Sequence, residues 1–237
     1  MTDLTSQIAR TKRKRGASAG LVFALAALVV LIVLAAAFVA LVLWPRWPAT
    51  SVAPDAPALP ITIGGVLFNV PPGAVRVAMQ RRPGAQERLD LAFLWPSLEP
   101  PDPNARPAPS EGMPPIDRLF ITIEPQASAL TPSDRVRTIY PRYLAETQYE
   151  GPDGLKVIPF REGSPYRGED LFFDPTAQPG FVTRCSRPAN GTPGICLYER
   201  RIDTADVTIR FPSEWLTGWR ALATGIDSLM LRLKPSN

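Results

Sequence analysis

The chain contains no histidine, and this absence excludes many kinds of active site. Without an imidazole it cannot by itself form a Ser-His-Asp triad, a Cys-His nucleophile pair, a histidine-ligated zinc site or a haem with a proximal histidine. Its two cysteines are too few for a zinc ribbon or an iron–sulfur cluster. Neither a Walker loop nor a G-x-G-x-x-G fingerprint occurs. We therefore predict no metal site and no cofactor.

Enzyme chemistry without histidine would depend on carboxylates, as in the acid pair of a glycosidase. Glu124, Glu169 and Asp170 lie in or beside predicted strands and are the nominal candidates. Residues 21–237 contain 21 acidic side chains, so some will be neighbours by chance, either solvated or paired with arginine. No Ser-x-x-Lys motif is present either. We assign no catalytic residue.

One apolar run, residues 21–44, contains no charged side chain. As a helix rising about 1.5 Å per residue, it would be roughly 36 Å long and would cross a hydrocarbon core about 30 Å thick. A cleaved signal peptide is the alternative, but its apolar region is about 7 to 15 residues long and ends at a small-x-small site. The only tempting site, residues 35–37, is followed by more apolar residues. We expect an uncleaved transmembrane helix.

The charges beside the apolar run predict its orientation. Only Arg46 follows the run closely, whereas five basic residues precede it: Arg10, Lys12, Arg13, Lys14 and Arg15. Because the flank rich in lysine and arginine normally stays in the cytoplasm, we expect a cytoplasmic tail at residues 1–20 and an external remainder. Trp44 and Trp47 lie where an interfacial aromatic belt is expected, at the outer boundary of the membrane.

The excess positive charge lies in the tail. Residues 21–237 contain 21 basic and 21 acidic side chains and are therefore neutral. A neutral domain lacks the field that concentrates polyanions, so we predict no nucleic acid binding despite the pI of about 9.3. The KRKR cluster resembles a nuclear import signal, but beside a span it is better read as a topology determinant in contact with the lipid bilayer. Arginine far outnumbers lysine, a bias typical of GC-rich bacterial genomes, so we expect a single-pass inner-membrane protein with a periplasmic domain.

Proline divides the external part of the chain. Residues 45–60 contain five prolines and are predicted to form an extended stalk. Residues 99–115 are also rich in proline and are predicted to form a long surface loop. The segment 61–237 has an ordinary size for one domain with its own core.

The pattern of this domain predicts an α+β fold, an antiparallel sheet with two helices on one of its faces. Gly64-Gly65 is the turn of a first hairpin, and Thr131 caps a helix that Pro141 breaks. Ser213 is expected to cap a long final helix whose apolar stripe, from Trp215 onward, packs on the sheet or on a partner. Further strands are predicted at 89–93, 119–124, 155–160, 170–173, 181–185, 195–202 and 207–211.

The two cysteines, Cys185 and Cys196, end and begin adjacent predicted strands. In an oxidising compartment such a pair is expected to form a structural disulfide, whereas a redox-active pair usually has C-x-x-C spacing. Asn190-Gly191, between them, is a turn signal.

These features favour a binding or accessory role over catalysis. We expect a membrane protein whose periplasmic domain binds a protein partner, as an accessory subunit, an assembly factor or a toxin-neutralising partner. A carboxylate-dependent envelope glycan enzyme is one alternative. A transmembrane sensor is another, but its tail of about 20 residues is too short to fold as an output domain. The oligomeric state stays open.

Overall fold

The computed structural model describes residues 19–43, 52–53, 55–102, 116–177, 180–189 and 191–234. The chain forms two compact units, Met1–Trp47 and Pro48–Asn237. The five basic residues of the tail, Trp44 and Trp47 lie outside the described residues, as do half of the predicted stalk and most of the loop at 99–115. The predictions that concern those residues therefore stay predictions.

The first unit contains one helix, α1 (Ala19–Leu43), in its described part. Within it, Gly20–Val39 has a mean hydropathy of 3.2. The helix has the length and composition of a membrane span, and a signal sequence near an N-terminus has the same features. The predicted apolar helix is thus present, beginning two residues earlier than the sequence pattern indicated.

The second unit is built mainly from strands. They are β1 (Leu59–Ile63), β2 (Val66–Val70), β3 (Gly84–Ala85), β4 (Leu89–Leu94), β5 (Arg118–Pro125), β6 (Tyr149–Glu150), β7 (Lys156–Pro159), β8 (Glu169–Phe173), β9 (Val182–Ser186), β10 (Ile195–Ile202) and β11 (Ala205–Pro212). Eight of them form one sheet in the order β4-β5-β11-β10-β9-β8-β7-β6, with every neighbouring pair antiparallel. A smaller sheet has the order β2-β1-β3. The predicted α+β fold with an antiparallel sheet is confirmed.

The strand alternation predicted from the sequence is present in β11. Val207, Ile209 and Phe211 are buried in the main core, while Thr208 and Arg210 lie on the other face of the sheet. Such alternation follows from the two-residue period of a strand with one face against the core. The predicted hairpin around Gly64-Gly65 is also present as β1 and β2, although β1 begins at Leu59, inside the segment predicted to be a stalk.

The final helix, α3 (Trp219–Leu233), covers the core face of the sheet. Its buried stripe consists of Trp219, Leu222, Ile226, Leu229, Met230 and Leu233. The prediction that this stripe is buried is confirmed, but the predicted start of the helix is wrong. Residues Ser213–Gly218 form a 3-10 helix, and Gly218 occupies the N-cap position of α3 without a side-chain hydrogen bond.

The second helix of this unit, α2 (Pro132–Thr138), begins as predicted. Thr131 and Asp134 form a reciprocal capping box, which pairs backbone N–H groups that a helix start otherwise leaves without partners. After α2 the chain continues as the short 3-10 helix Tyr140–Arg142, in agreement with the predicted break at Pro141.

Helix α2 lies on the face of the sheet opposite to α3. Arg135 of α2 donates to Glu199 of β10, whereas the preceding residue, Tyr198, packs in the core beneath α3. Successive residues of a strand point to opposite faces, so the two helices cannot share one. The expectation that both helices lie on one face is therefore wrong. A second apolar cluster fills the α2 side, with Tyr140, Phe160 and Leu171 at its centre.

Candidate binding cleft

Strands β9 and β10 separate near the middle of the large sheet. They pair only at Cys185↔Cys196 and Arg184↔Leu197, although β10 continues to Ile202. On its other side β10 pairs with β11 over its whole length. Beyond Leu197, β10 is therefore paired with β11 along one edge, while its other edge does not pair with β9.

Alternate residues of β10 direct their backbone groups toward β9. The hydroxyl of Ser186 accepts from the N–H of Ile195 at 3.0 Å, and the hydroxyl of Thr183 donates to the carbonyl oxygen of Leu197 at 2.9 Å. In an antiparallel strand the N–H and C=O of one residue point the same way, and the direction alternates from residue to residue. The odd-numbered residues of β10 therefore face β9.

The next two odd-numbered residues are Glu199 and Arg201. Among the described residues, none pairs with the backbone N–H or C=O of these two positions on the β9 side. Two donors and two acceptors therefore point into the gap between the strands. A buried polar backbone group without a partner is unfavourable, so this edge is suited to pairing with another extended chain.

The gap opens into a cleft of about 1270 Å³. Apolar and aromatic side chains from both faces of the sheet line it. On the α2 side these are Val136, Leu171 and Val182, and on the α3 side Phe181, Tyr198 and Trp219. The aromatic residues of the α3 side contact one another, with ring centroids 5.0 Å apart for Phe181 and Tyr198 and 5.2 Å apart for Phe181 and Trp219.

Arg184 is the charged residue nearest the point where the strands separate. Its guanidinium donates to Glu169 at 2.6 Å and lies over the ring of Tyr166 at 5.1 Å. Burial by itself lowers the pKa of Arg184, but the nearby Tyr140 and Glu169 outweigh this effect and the pKa is raised. Arg184 is therefore a permanent cation in the wall of the cleft.

Two tyrosines of the cleft have raised pKa values for the same main reason. Burial raises the pKa of Tyr140, and the charge of Glu199 adds to the effect. Burial also raises the pKa of Tyr198. Both phenols therefore stay neutral at physiological pH and can act as hydrogen-bond donors.

Ion pairs neutralise most of the charge at the rim. Arg135 contacts Glu199 at 2.8 Å, Arg201 contacts Asp206 at 2.7 Å, and Arg200 pairs with Asp227 of α3. The guanidinium of Arg201 also donates to the carbonyl oxygen of Ser128, at 2.8 Å. The side chains of Glu199, Arg200 and Arg201 therefore line the cleft as members of ion pairs.

The three nominal catalytic carboxylates are each paired with arginine. Glu124 contacts Arg88 at 2.8 Å, Asp170 contacts Arg187 at 2.8 Å, and Glu169 contacts Arg184. The structure does not bring them together as one acid pair, because Glu124 lies on β5, and Glu169 and Asp170 are successive residues of β8 with opposite orientations. Each of the three is thus held in an ion pair with an arginine, an arrangement typical of acids with a structural role.

The structure joins Cys185 and Cys196 by a disulfide between the two residues that face each other across β9 and β10. The bridge lies one residue pair before the strands separate. It therefore fixes the closed end of the cleft, a placement that the spacing of the cysteines did not reveal.

A further polar site, absent from the sequence predictions, lies on β4. Asp90 is buried and accepts hydrogen bonds from Arg88, Gln80 and Thr122. The bonds from Arg88 lower the pKa of Asp90 from its usual 3.8 to about 2, against the opposing effect of burial, and those from Gln80 and Thr122 add to this lowering. The carboxylate of Asp90 therefore has hydrogen-bond partners for both of its oxygens and has a structural role.

No protein-family model matches the chain, and neither does any curated protein sequence. A comparison with solved structures found two matches. The first is Smlt3025, an immunity protein of the Stenotrophomonas maltophilia type IV secretion system, with a TM-score of 0.51 and 12% identity over 76% of this chain and 94% of that chain. The second is the Neisseria meningitidis iron-regulated outer membrane lipoprotein FrpD, with a TM-score of 0.40 and 11% identity over 76% of this chain and 93% of that chain. At this identity the first likeness concerns the fold alone.

Proposed function

We propose that this chain is a single-pass protein of the bacterial inner membrane whose second unit lies in the periplasm and binds a protein partner without catalysis. The observation that carries the proposal is the cleft between β9 and β10, an apolar, aromatic-lined opening with unpaired backbone groups at its edge. Such a combination suits recognition of a polypeptide.

Two further observations support this function. The carboxylates that an enzyme without histidine would need are held in ion pairs with arginine. The fold resembles that of an immunity protein of a secretion system. The most concrete form of the proposal is therefore a toxin-neutralising partner held at the membrane surface by α1.

The partner is tested by crosslinking and pull-down from native membranes with the full chain as bait. We expect one stoichiometric protein partner, which a folded Tyr198→Ala variant captures less well because Tyr198 lies in the cleft wall. The matched control is Leu231→Ala, because Leu231 is 75% exposed on the outer side of α3. If the protein hydrolysed envelope glycan and the Glu169→Gln variant did not, the proposed binding function would have to be replaced by a catalytic one.

The orientation is tested by fusing reporters to the C-terminus. A periplasm-dependent reporter such as alkaline phosphatase is expected to be active and a cytoplasm-dependent one inactive, because five basic residues precede the apolar run. Replacing those five residues with asparagine is the control and is expected to weaken the preference. A mature protein that begins after residue 37 would mean a cleaved signal peptide.

A further inference from the structure

We propose that the open edge of β10 binds an extended segment of the protein partner, which inserts between β9 and β10 as an additional strand. The inference rests on the proposed function and specifies how the partner is recognised. Its basis is the pair of residues Glu199 and Arg201, whose backbone groups face the gap without a partner in the described part of the chain.

The spacing of these backbone groups matches an extended chain. Glu199 and Arg201 are two residues apart in a strand, so their donor–acceptor sets are separated by about 6.8 Å along the edge. An incoming strand repeats its own donors and acceptors at the same interval, whereas a helix uses its backbone groups internally. The edge therefore selects backbone in the extended conformation.

The walls of the cleft fit the side chains of such a strand. Alternate side chains of an inserted strand would point to the two faces of the sheet. On one face they would meet Val136 and Val182, and on the other Tyr198 and Trp219. We therefore expect a segment with apolar side chains on both faces, at least three to four residues long.

The proline-rich segment of this chain is poorly suited to the same position. Seven of the 17 residues at 99–115 are proline, which has no N–H to donate to the edge. A second copy of the chain is a distinguishable occupant, because its binding would depend on protein concentration.

Hydrogen–deuterium exchange at residue resolution tests the edge directly in the full chain, reconstituted in lipid nanodiscs. The probe is a capped octapeptide with three isoleucine–valine repeats between terminal lysines, so that both of its faces are apolar. The amides of Glu199 and Arg201 are expected to exchange rapidly without the peptide and at least tenfold more slowly with it. The same peptide methylated at every backbone nitrogen is the control, because it has no backbone donors, and is expected to give no protection.

A pair of substitutions at one position isolates the backbone contribution. Glu199→Ala and Glu199→Pro both remove the ion pair with Arg135, but only proline also removes the N–H that faces the gap. Proline is tolerated in a strand where its nitrogen faces an open edge. We expect Glu199→Pro to lose peptide protection at Arg201 and at least tenfold in partner capture, and Glu199→Ala to retain both. Melting curves confirm that each variant folds.

Three results would overturn the inference. The first is slow exchange of the Glu199 and Arg201 amides without any peptide. The second is protection that rises with protein concentration alone, which would indicate that a second copy of the chain binds the edge. The third is a folded Glu199→Pro variant that binds the peptide and the partner as well as the wild type does. The third result would leave the proposed binding function intact and would show that the partner does not bind at the open edge of β10. If the wild type captured no partner from membranes, the proposed function would fail whatever the peptide result. Should Glu199→Pro not fold, the peptide experiment on the wild-type chain decides alone.

Discussion

Thr183 of β9 and Leu197 of β10 are joined by a hydrogen bond from the threonine hydroxyl to the leucine carbonyl oxygen, 2.9 Å long, at the point where the two strands separate. The hydroxyl is a second link between the two strands at Leu197, the last residue of β10 that pairs with β9. Thr183 is 1% exposed, so this bond is shielded from water. It marks the boundary between the closed and the open part of the sheet.

Thr183→Val is expected to lower the free energy of unfolding by about 0.5 to 1.5 kcal/mol, because valine has nearly the same shape and removes one hydrogen bond, while Leu197 stays paired with Arg184 across the two strands. Urea unfolding measures the change. Thr183→Ser keeps the hydroxyl and is expected to retain more of the stability. Equal stability of the valine variant and the wild type would mean that water replaces the hydroxyl.

The pH dependence of stability is expected to report on Asp90. Its pKa is about 2 in the folded protein, below its usual 3.8, so its contribution is present above about pH 4 and is lost as the pH falls through about 2. Since one pKa unit corresponds to about 1.4 kcal/mol, Asp90→Asn is expected to cost about 2 kcal/mol at pH 6 and well under 1 kcal/mol at pH 2.

Urea unfolding of Asp90→Asn and the wild type at both pH values measures this difference. Glu87→Gln is the control, because Glu87 is an exposed carboxylate in the same region, and its substitution is expected to change stability by less than about 0.5 kcal/mol at either pH. An equal cost of Asp90→Asn at pH 6 and pH 2 would show that the charge of Asp90 is unimportant.

The elements that the sequence predicts well are those whose pattern is local. The alternation in β11 and the stripe in α3 each follow from one period and one buried face, so the burial of Ile209 and Leu222 needed no knowledge of other elements. The capping box at Thr131 and Asp134 is local in the same sense, since it depends on a spacing of three residues.

The cleft could not be predicted in this way, because it depends on where two strands separate. Glu199 and Arg201 belong to a strand whose bounds were predicted correctly, yet nothing in their spacing shows that β9 leaves them unpaired. The prediction that α2 lies on the same face of the sheet as α3 was wrong for the same reason. An apolar stripe on a helix indicates that the helix is buried on that side, but not which face of the sheet it covers. Asp90 alternates with leucines, a pattern typical of a solvent-facing position, but it is buried and accepts a hydrogen bond from Thr122 on the neighbouring strand.

The disulfide is expected to stabilise the closed end of the cleft. A bridge that closes a loop of about 15 residues contributes roughly 3 kcal/mol by loop entropy, and we expect less because the hairpin limits the unfolded chain as well. Changing Cys185 and Cys196 together to serine should lower the melting temperature by a few degrees. Mass analysis of the non-reduced wild type is expected to find the two cysteine peptides linked. Free thiols in protein taken from intact membranes would contradict both the bridge and the periplasmic location.

Trp219 at the start of α3 is expected to be a major determinant of stability. It is 6% exposed, packs against Phe181 with ring centroids 5.2 Å apart, and donates from Nε1 to the carbonyl oxygen of Asp153 at 3.0 Å. Trp219→Ala is therefore expected to cost about 3 to 5 kcal/mol in urea unfolding, and Trp219→Phe, which keeps a ring but removes the indole donor, clearly less. Leu231→Ala on the exposed side of the same helix is the control and should change stability by less than about 0.5 kcal/mol. If Trp219→Ala left stability unchanged while abolishing partner capture, the indole would be a contact surface and not part of the core.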